Sequence, residues 1–526
     1  MRLVPTLLIL LGACATLPPA PSTPERAEVW WGHVETLAAD EMEGRLAGSE
    51  GYLRAAAYVA ERFAEYGLEP AGSEGFFQPV PLEERSLILA QSRAALVADG
   101  TEAPLRMPQD LLVRVSGPLP ERVEAPLVFI GYGLHLPDAG HDDLAGLDLA
   151  GKVAVVIGGG PQELPGVLKS HARAERARQL RERGAVGLIS LGSLGQAEQP
   201  WSRFAALAEQ PGKYIVEPGP APPPFFQASM NPAEAERLFA GSGHGFARIS
   251  ALADASAPVP VFALRPVFRA DFASRSRRLS APNVVARLPG SDPALAGEHV
   301  VLTAHLDGLG VRAPGAGDRI NNGALDNAAG VAALLDIAEQ YQRRRVRPRR
   351  SILFVALTAE ESGLLGARYF SRHPTVPRES LVANLNYDMA LPLFPLRSVI
   401  ALGADQSSLG RDAEAVGATM GLPLTPDPFP DRNSFIRSDQ YAFIEQGIPA
   451  LAFKFGFAAN TPEAEIERLW RATRYHGVSD DSAQQVFRED EIRLHDFIAA
   501  IALRVADADD RPRWNPDSVF RRFARP

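Results

Sequence analysis

One cysteine, Cys14, in 526 residues excludes any intramolecular disulfide, so burial and hydrogen bonding must hold the chain together. A large surplus of one charge is also missing. The formal net charge of −9 leaves no basic face for a phosphate backbone, which sets nucleic acid aside as a partner. Beyond the N-terminus no apolar run reaches the length that would span a bilayer, and no internal repeat is visible. What is present is ordinary globular composition, 46% apolar and 22% charged. At 526 residues the chain exceeds one typical domain, so two domains are expected.

Met1-Arg2 followed by the apolar Leu3 to Leu11 reads as a short export signal. It runs into Leu11-Gly12-Ala13-Cys14, which resembles the bacterial lipobox. That resemblance implies lipidation of Cys14, membrane attachment through the lipid, and a place in the cell envelope, either periplasm or outer membrane, or secretion. The proline-rich run to residue 24 is then an extended tether. Residues 25–103 open the main domain with two helical patterns, Glu25 to Asp40 and Glu50 to Tyr66, and two strand-like runs, Phe76 to Leu82 and Ser86 to Ala90.

Residues 104–279 have a different texture. Strand-like Leu127 to Tyr132, Val153 to Gly158 and Val186 to Leu191 accompany a charged helix from Ser170 to Arg183. Pro218 to Pro224 and the arginines between Arg275 and Arg278 read as loops. No set of metal-binding or acid/base residues gathers here, and the region is read as an inserted domain. Residues 280–510 resume the first domain, with strands and helices in alternation that predict an α/β architecture: a mostly parallel, mixed sheet flanked by helices. Residues 511–526 form a C-terminal tail.

The strand from His299 to Ala304 ends at His305, with Asp307 two residues on, so the two side chains share a face and the carboxylate can orient the imidazole. Asp326 follows a Gly/Asn-rich loop and opens a helical pattern. Glu360 and Glu361 stand after the strand Leu353 to Leu357, Asp388 after Leu381 to Tyr387, and His476 in a polar loop. Taken singly, Asp326 could be a helix cap and Glu360-Glu361 a solvated helix start. Jointly they place two imidazoles and three carboxylates at successive strand ends, where α/β sheets bind ligands. His305, Asp326, Glu361, Asp388 and His476 suit two zinc ions if Asp326 bridges, leaving Glu360 free as a base.

With these residues in view, the chain resembles the co-catalytic di-zinc aminopeptidases, a family that includes bacterial leucyl aminopeptidases, aminopeptidase Y and the glutamate carboxypeptidase II relatives. The matching segments are Thr303-Ala304-His305-Leu306-Asp307, Asn322 to Gly330, Ala359 to Ala367, Asn386-Tyr387-Asp388-Met389, Arg437-Ser438-Asp439 and Tyr475-His476, with Arg45 to Ser49 near the N-terminus. The resemblance implies the phosphorylase/hydrolase-like fold of zinc exopeptidases and two zinc ions per chain, one on His305, Asp326 and Asp388, the other on Asp326, Glu361 and His476. It makes Glu360 the general base, Asp307 the partner of His305, and Tyr475 a donor to the oxyanion. Leu127 to Leu134 and Asp148 to Val153 resemble the mainly β protease-associated domain inserted in many relatives.

Two positions depart from the family pattern: Gln440 stands where a histidine is common, and Leu325 where an aspartate is. Neither is a ligand in that pattern. The expected reaction is hydrolysis of the N-terminal peptide bond of peptides by metal-activated water, with Asp427 to Phe435 lining the substrate pocket. The alternatives are a carboxypeptidase or dipeptidase, for which Arg432 and Arg437 would clamp a carboxylate, a single-zinc glutaminyl cyclase, and a non-catalytic receptor-like binding protein. The oligomeric state is left open.

Overall fold

The computed structural model describes residues 24–524 apart from 116, 196–199, 207–210, 218–221, 313 and 316. The export signal, Cys14 and most of the tether lie outside the described residues, as does much of the Pro218 to Pro224 cluster.

Two mixed sheets organise the chain. The first runs in the order Gly212–Ile215, Phe77–Leu87, Ser274–Leu288, Ser351–Leu357, His299–His305, Leu381–Asn386, Ala450–Phe455, Val399–Leu402. Its four strands Ser351–Leu357, His299–His305, Leu381–Asn386 and Ala450–Phe455 pair in parallel, and antiparallel strands flank them. The parallel strands are apolar almost throughout because both faces are covered. Alternation sends Ile352, Phe354 and Ala356 to one layer, with the helices Pro24–Leu37, Ala329–Arg343 and Arg488–Asp507. Leu353, Val355 and Leu357 go to the other, against Ala367, Phe370, Ala442 and Phe443.

The second sheet takes its strands from between Arg93 and Asp271, in the order Thr101–Leu105, Arg93–Ala98, Val261–Asp271, Arg122–Ile130, Val153–Ile157, Gly187–Leu191, Phe226–Met230, Leu111–Arg114. Its centre is also parallel, from Arg122–Ile130 to Phe226–Met230, and the 17-residue helix Gly166–Glu182 goes with it. Phe226 stacks on Phe268 and Phe272 with centroids 4.8 and 5.4 Å apart, in a core separate from that of the first sheet.

Three features differ from the sequence reading. Arg275 to Arg278 lie within the strand Ser274–Leu288, not in a loop; opposite them Phe77–Leu87 is one continuous strand, and Arg277 Nε meets Glu84 at 2.7 Å. Cross-strand ion pairs let charged residues occupy a sheet position that composition alone assigns to a turn. The hairpin Arg93–Ala98 and Thr101–Leu105 joins the second sheet ahead of the boundary placed at 104. Gly212–Ile215, from the middle of the intervening region, returns to the edge of the first sheet and pairs with Leu82 to Arg85.

Candidate metal centre

His305 is the last residue of its strand and is 1% exposed. Its Nδ1 lies 3.1 Å from the carbonyl of Asp307. A carbonyl only accepts, so Nδ1 donates, and Nε2 faces Asp326 Oδ1 at 3.3 Å and Asp388 Oδ1 at 3.5 Å; burial opposes the charged ring, but these carboxylates outweigh it and raise the imidazole well above its ordinary value. The Asp307 carboxylate is 3.9 Å from Nδ1 and is turned elsewhere: it accepts from the backbone N–H groups of Glu360, at 2.9 Å, and Glu361, at 3.4 Å. The backbone of Asp307 thus orients the histidine, whereas its side chain, expected to do so, holds the Glu-Glu turn. Burial raises the Asp307 carboxyl to about 6.

The loop before Asp326 is held from two sides. Arg45 is fully buried and donates to the carbonyls of Leu306, Asn322 and Gly323 at 2.9, 2.7 and 2.9 Å, joining the histidine strand end to the aspartate loop. Asp480 accepts from the N–H groups of Leu325 and Asp326, both at 3.0 Å. Gly323 has φ +61°, and a Cβ there would sit 2.4 Å from the carbonyl oxygen of Asp326, so the tight turn needs glycine. The Asp326–Asn327 peptide is cis. Asn327 donates to the carbonyl of Tyr387 at 2.9 Å, which fixes this loop beside Asp388. Helix Ala329–Arg343 starts after that turn, so Asp326 belongs to the turn and not to the helix.

His476, at φ +55°, directs Nε2 to Asp326 Oδ2 at 3.4 Å and Glu361 Oε2 at 3.3 Å. Tyr475 stacks on its ring with centroids 3.8 Å apart. Two groups of donor atoms result, His305, Asp326 and Asp388, and Asp326, Glu361 and His476; within each, one atom per residue lies within 4.8 Å of the others. Asp326 is common to both. All five residues singled out as ligands therefore converge from distant parts of the chain, with Glu360 next to them.

The electrostatics explain what such a site asks for. Burial and the surrounding carboxylates of Asp388, Glu361 and Asp439 raise the Glu360 carboxyl well above its ordinary value. Burial also raises Asp326, with Glu361 adding to it. Burial works against the charged form of His476, but Glu361 and Asp326 outweigh it and bring the imidazole up to about 9. Asp388 Oδ1 and both oxygens of the fully buried Asp439 have no hydrogen-bond partner among the described residues. So much negative charge in one buried rim, ringed by two imidazoles, fits divalent cations, and this oxygen and nitrogen donor set suits zinc.

Sequence reasoning gave no role to Asp480 and left Asp439 and Arg45 as parts of matching segments. The signal that exists for Asp439 is its place two residues after Arg437 in such a segment; Asp480 had none beyond proximity to His476. Gln440 is buried and structural, accepting from Asn386 at 2.8 Å and donating to the carbonyl of Phe435 at 2.7 Å. Leu325 is buried core. Arg432 donates to Glu467 at 2.9 Å and lies over the ring of Phe429 at 4.1 Å, while Arg437 is exposed.

A mixed sheet with paired donor groups at the ends of its parallel strands defines a candidate divalent-metal centre. Residues 283–501 match the family described as Peptidase family M28. Its relatives include leupeptin-inactivating enzyme 1 of Streptomyces exfoliatus, 29% identical over 192 residues that cover 36% of this chain and 39% of that protein. Another is probable leucine aminopeptidase 2 of Aspergillus fumigatus, 30% identical over 256 residues, 46% of this chain and 47% of that protein. The chain thus spans less than half the length of these relatives. Among solved structures, the aminopeptidase from Aneurinibacillus sp. strain AM-1 shares the fold with a TM-score of 0.55 at 18% identity, over 95% of this chain and 99% of that one.

Proposed function

We propose that this protein is a zinc-dependent aminopeptidase that hydrolyses the N-terminal peptide bond of peptides. The observation that carries the reading is the pair of donor groups that share Asp326 beside a half-buried Glu360 that belongs to neither. His305, Asp326 and Asp388 would hold one zinc ion, and Asp326, Glu361 and His476 a second. Bound zinc supplies a Lewis acid for the scissile carbonyl and lowers the pKa of water towards about 7.

The chain's own groups do the rest. Glu360 takes the proton of the attacking water, and its surroundings of buried carboxylates favour the protonated form that results. It then gives that proton to the leaving amine. Asp307 keeps Glu360 and Glu361 in place through their backbone N–H groups. Tyr475, stacked on His476, supplies a hydroxyl to the oxyanion. Among the described residues no helix is long and apolar enough to cross a membrane, and membrane attachment is assigned to a lipid on Cys14. The intervening sheet plays the part of the protease-associated domain.

The test is a panel of free and N-acetylated aminoacyl substrates with zinc analysis. Cleavage of free substrates with bound zinc supports the reading. Cleavage of acetylated substrates alone would move it to the carboxypeptidase alternative, for which the exposed Arg437 is the available cation. Loss of radiolabelled lipid incorporation in Cys14→Ser checks the anchor, and unchanged incorporation removes it.

A further inference from the structure

Beside the first donor group a narrow cavity opens, and its wall begins at Ala390 and Leu391, just past Asp388. Its sides are aromatic. Phe394 contacts Phe455 and Phe457 with centroids 6.0 and 5.8 Å apart, and Phe429 contacts Phe457 at 6.1 Å. Into this apolar sleeve the strand Ala450–Phe455 brings one cation, Lys454, which is partly buried.

Of the other charged residues of the cavity, Glu467 is paired with two arginines and Asp427 has a backbone partner. Glu467 is held by Arg432 at 2.9 Å and by Arg471. Asp427 accepts from the N–H of Phe429 at 2.9 Å. Lys454 donates to a neutral acceptor, the carbonyl of Met389, at 3.3 Å, and among the described residues no carboxylate lies within ion-pair distance, although Asp388, Glu467 and Asp427 are near enough to offset part of the cost of its burial. Met389 follows Asp388 directly, so the ammonium stands next to the metal-binding rim. An ammonium in an aromatic cavity is stabilised by a carboxylate and desolvated at a cost by an aliphatic group.

We infer that Lys454 makes this cavity a receptor for an acidic side chain, so that the enzyme prefers peptides with N-terminal glutamate or aspartate. The inference rests on the aminopeptidase reading and specifies its substrate class. The aromatic walls take the methylene groups and Lys454 takes the carboxylate. A leucyl side chain would leave the ammonium facing hydrocarbon. From the usual strength of a hydrogen bond to a charged group, the expected preference for glutamyl over leucyl substrates is roughly 10- to 100-fold in kcat/KM.

The experiment compares glutamyl-, aspartyl-, glutaminyl- and leucyl-4-nitroanilides with the zinc-loaded full chain, in the wild type, Lys454→Met and Lys454→Arg. The wild type should favour glutamyl or aspartyl substrates; Lys454→Met should lower the glutamyl-to-leucyl ratio by about tenfold or more, and Lys454→Arg should keep acidic substrates ahead. A wild type that favours leucyl substrate, or an unchanged ratio in Lys454→Met, overturns the inference. Leucyl-glycine cleaved in preference to every nitroanilide also overturns it, since the carboxylate recognised would then be the substrate's C-terminus. If no substrate is cleaved the aminopeptidase reading fails by itself, and thermal shift with free L-glutamate and L-leucine decides on the cavity. Greater stabilisation by glutamate, lost in Lys454→Met, upholds it, and equal or leucine-favoured stabilisation overturns it.

Discussion

The two sheets share a parallel centre and differ at its carboxyl ends. In the first, the strands lead into His305, the Glu360-Glu361 turn and Asp388. In the second, the strands end at Ile130, Ile157, Leu191 and Met230, followed by Gly131, Gly158, Gly192 and Asn231. Topology offers a ligand-binding edge in both cases, but among the described residues the clustered donors that could hold a metal ion lie at the first rim. Some charge pairs of the second sheet lie on its surface, such as Arg269 with Glu124 and Arg93 with Asp271, and its buried Asp110 is taken up by Arg106 and Arg237.

Substitutions at each rim sharpen this contrast. Glu360→Gln should lower kcat by about 10²- to 10⁴-fold, the usual range for a lost general base, with zinc content unchanged; steady-state kinetics beside atomic emission checks both. Asp326→Ala should bring zinc from two ions per chain to one or none, because the residue belongs to both donor groups. Retention of two ions would remove it as the bridge. In the second sheet, Phe129→Ala opens a cavity where the ring meets Phe239 and Phe262 at 5.3 and 5.2 Å. It should cost about 3–5 kcal/mol in denaturant unfolding while the folded protein keeps its zinc.

Zinc binding should depend on pH in a stated direction. His476, raised to about 9 without metal, is protonated at pH 7 and must lose that proton to act as a ligand. Affinity should therefore rise as pH climbs towards 9, by up to about tenfold per unit for each proton released, as titration calorimetry in buffers of different ionisation enthalpy will show. The smallest effect belongs to the seam between the two regions. His171, on the helix Gly166–Glu182, meets the hydroxyl of Tyr441 at 2.6 Å. Tyr441→Phe should cost about 1 kcal/mol in unfolding free energy and leave zinc content as it was.

How far the chain could be read in advance follows the same division. His305, Glu360, Glu361 and Asp388 were legible because strand periodicity and strand ends are local features, and Asp326 and His476 because their segments match a family in order. Arg45 stood in a matching segment without a role and Asp480 outside any, because both act through backbone carbonyls and N–H groups of loops far away in sequence, which no local pattern encodes. The turn of Asp307 away from His305 depends on where the Glu360 N–H lies, again a long-range fact. The return of Gly212–Ile215 to the first sheet escaped for the same reason.

Anomalous diffraction at the zinc edge from crystals of the full chain addresses the central claim most directly. The account predicts two peaks, one among His305, Asp326 and Asp388 and one among Asp326, Glu361 and His476. Peaks at other residues, or none after zinc soaking, would contradict it.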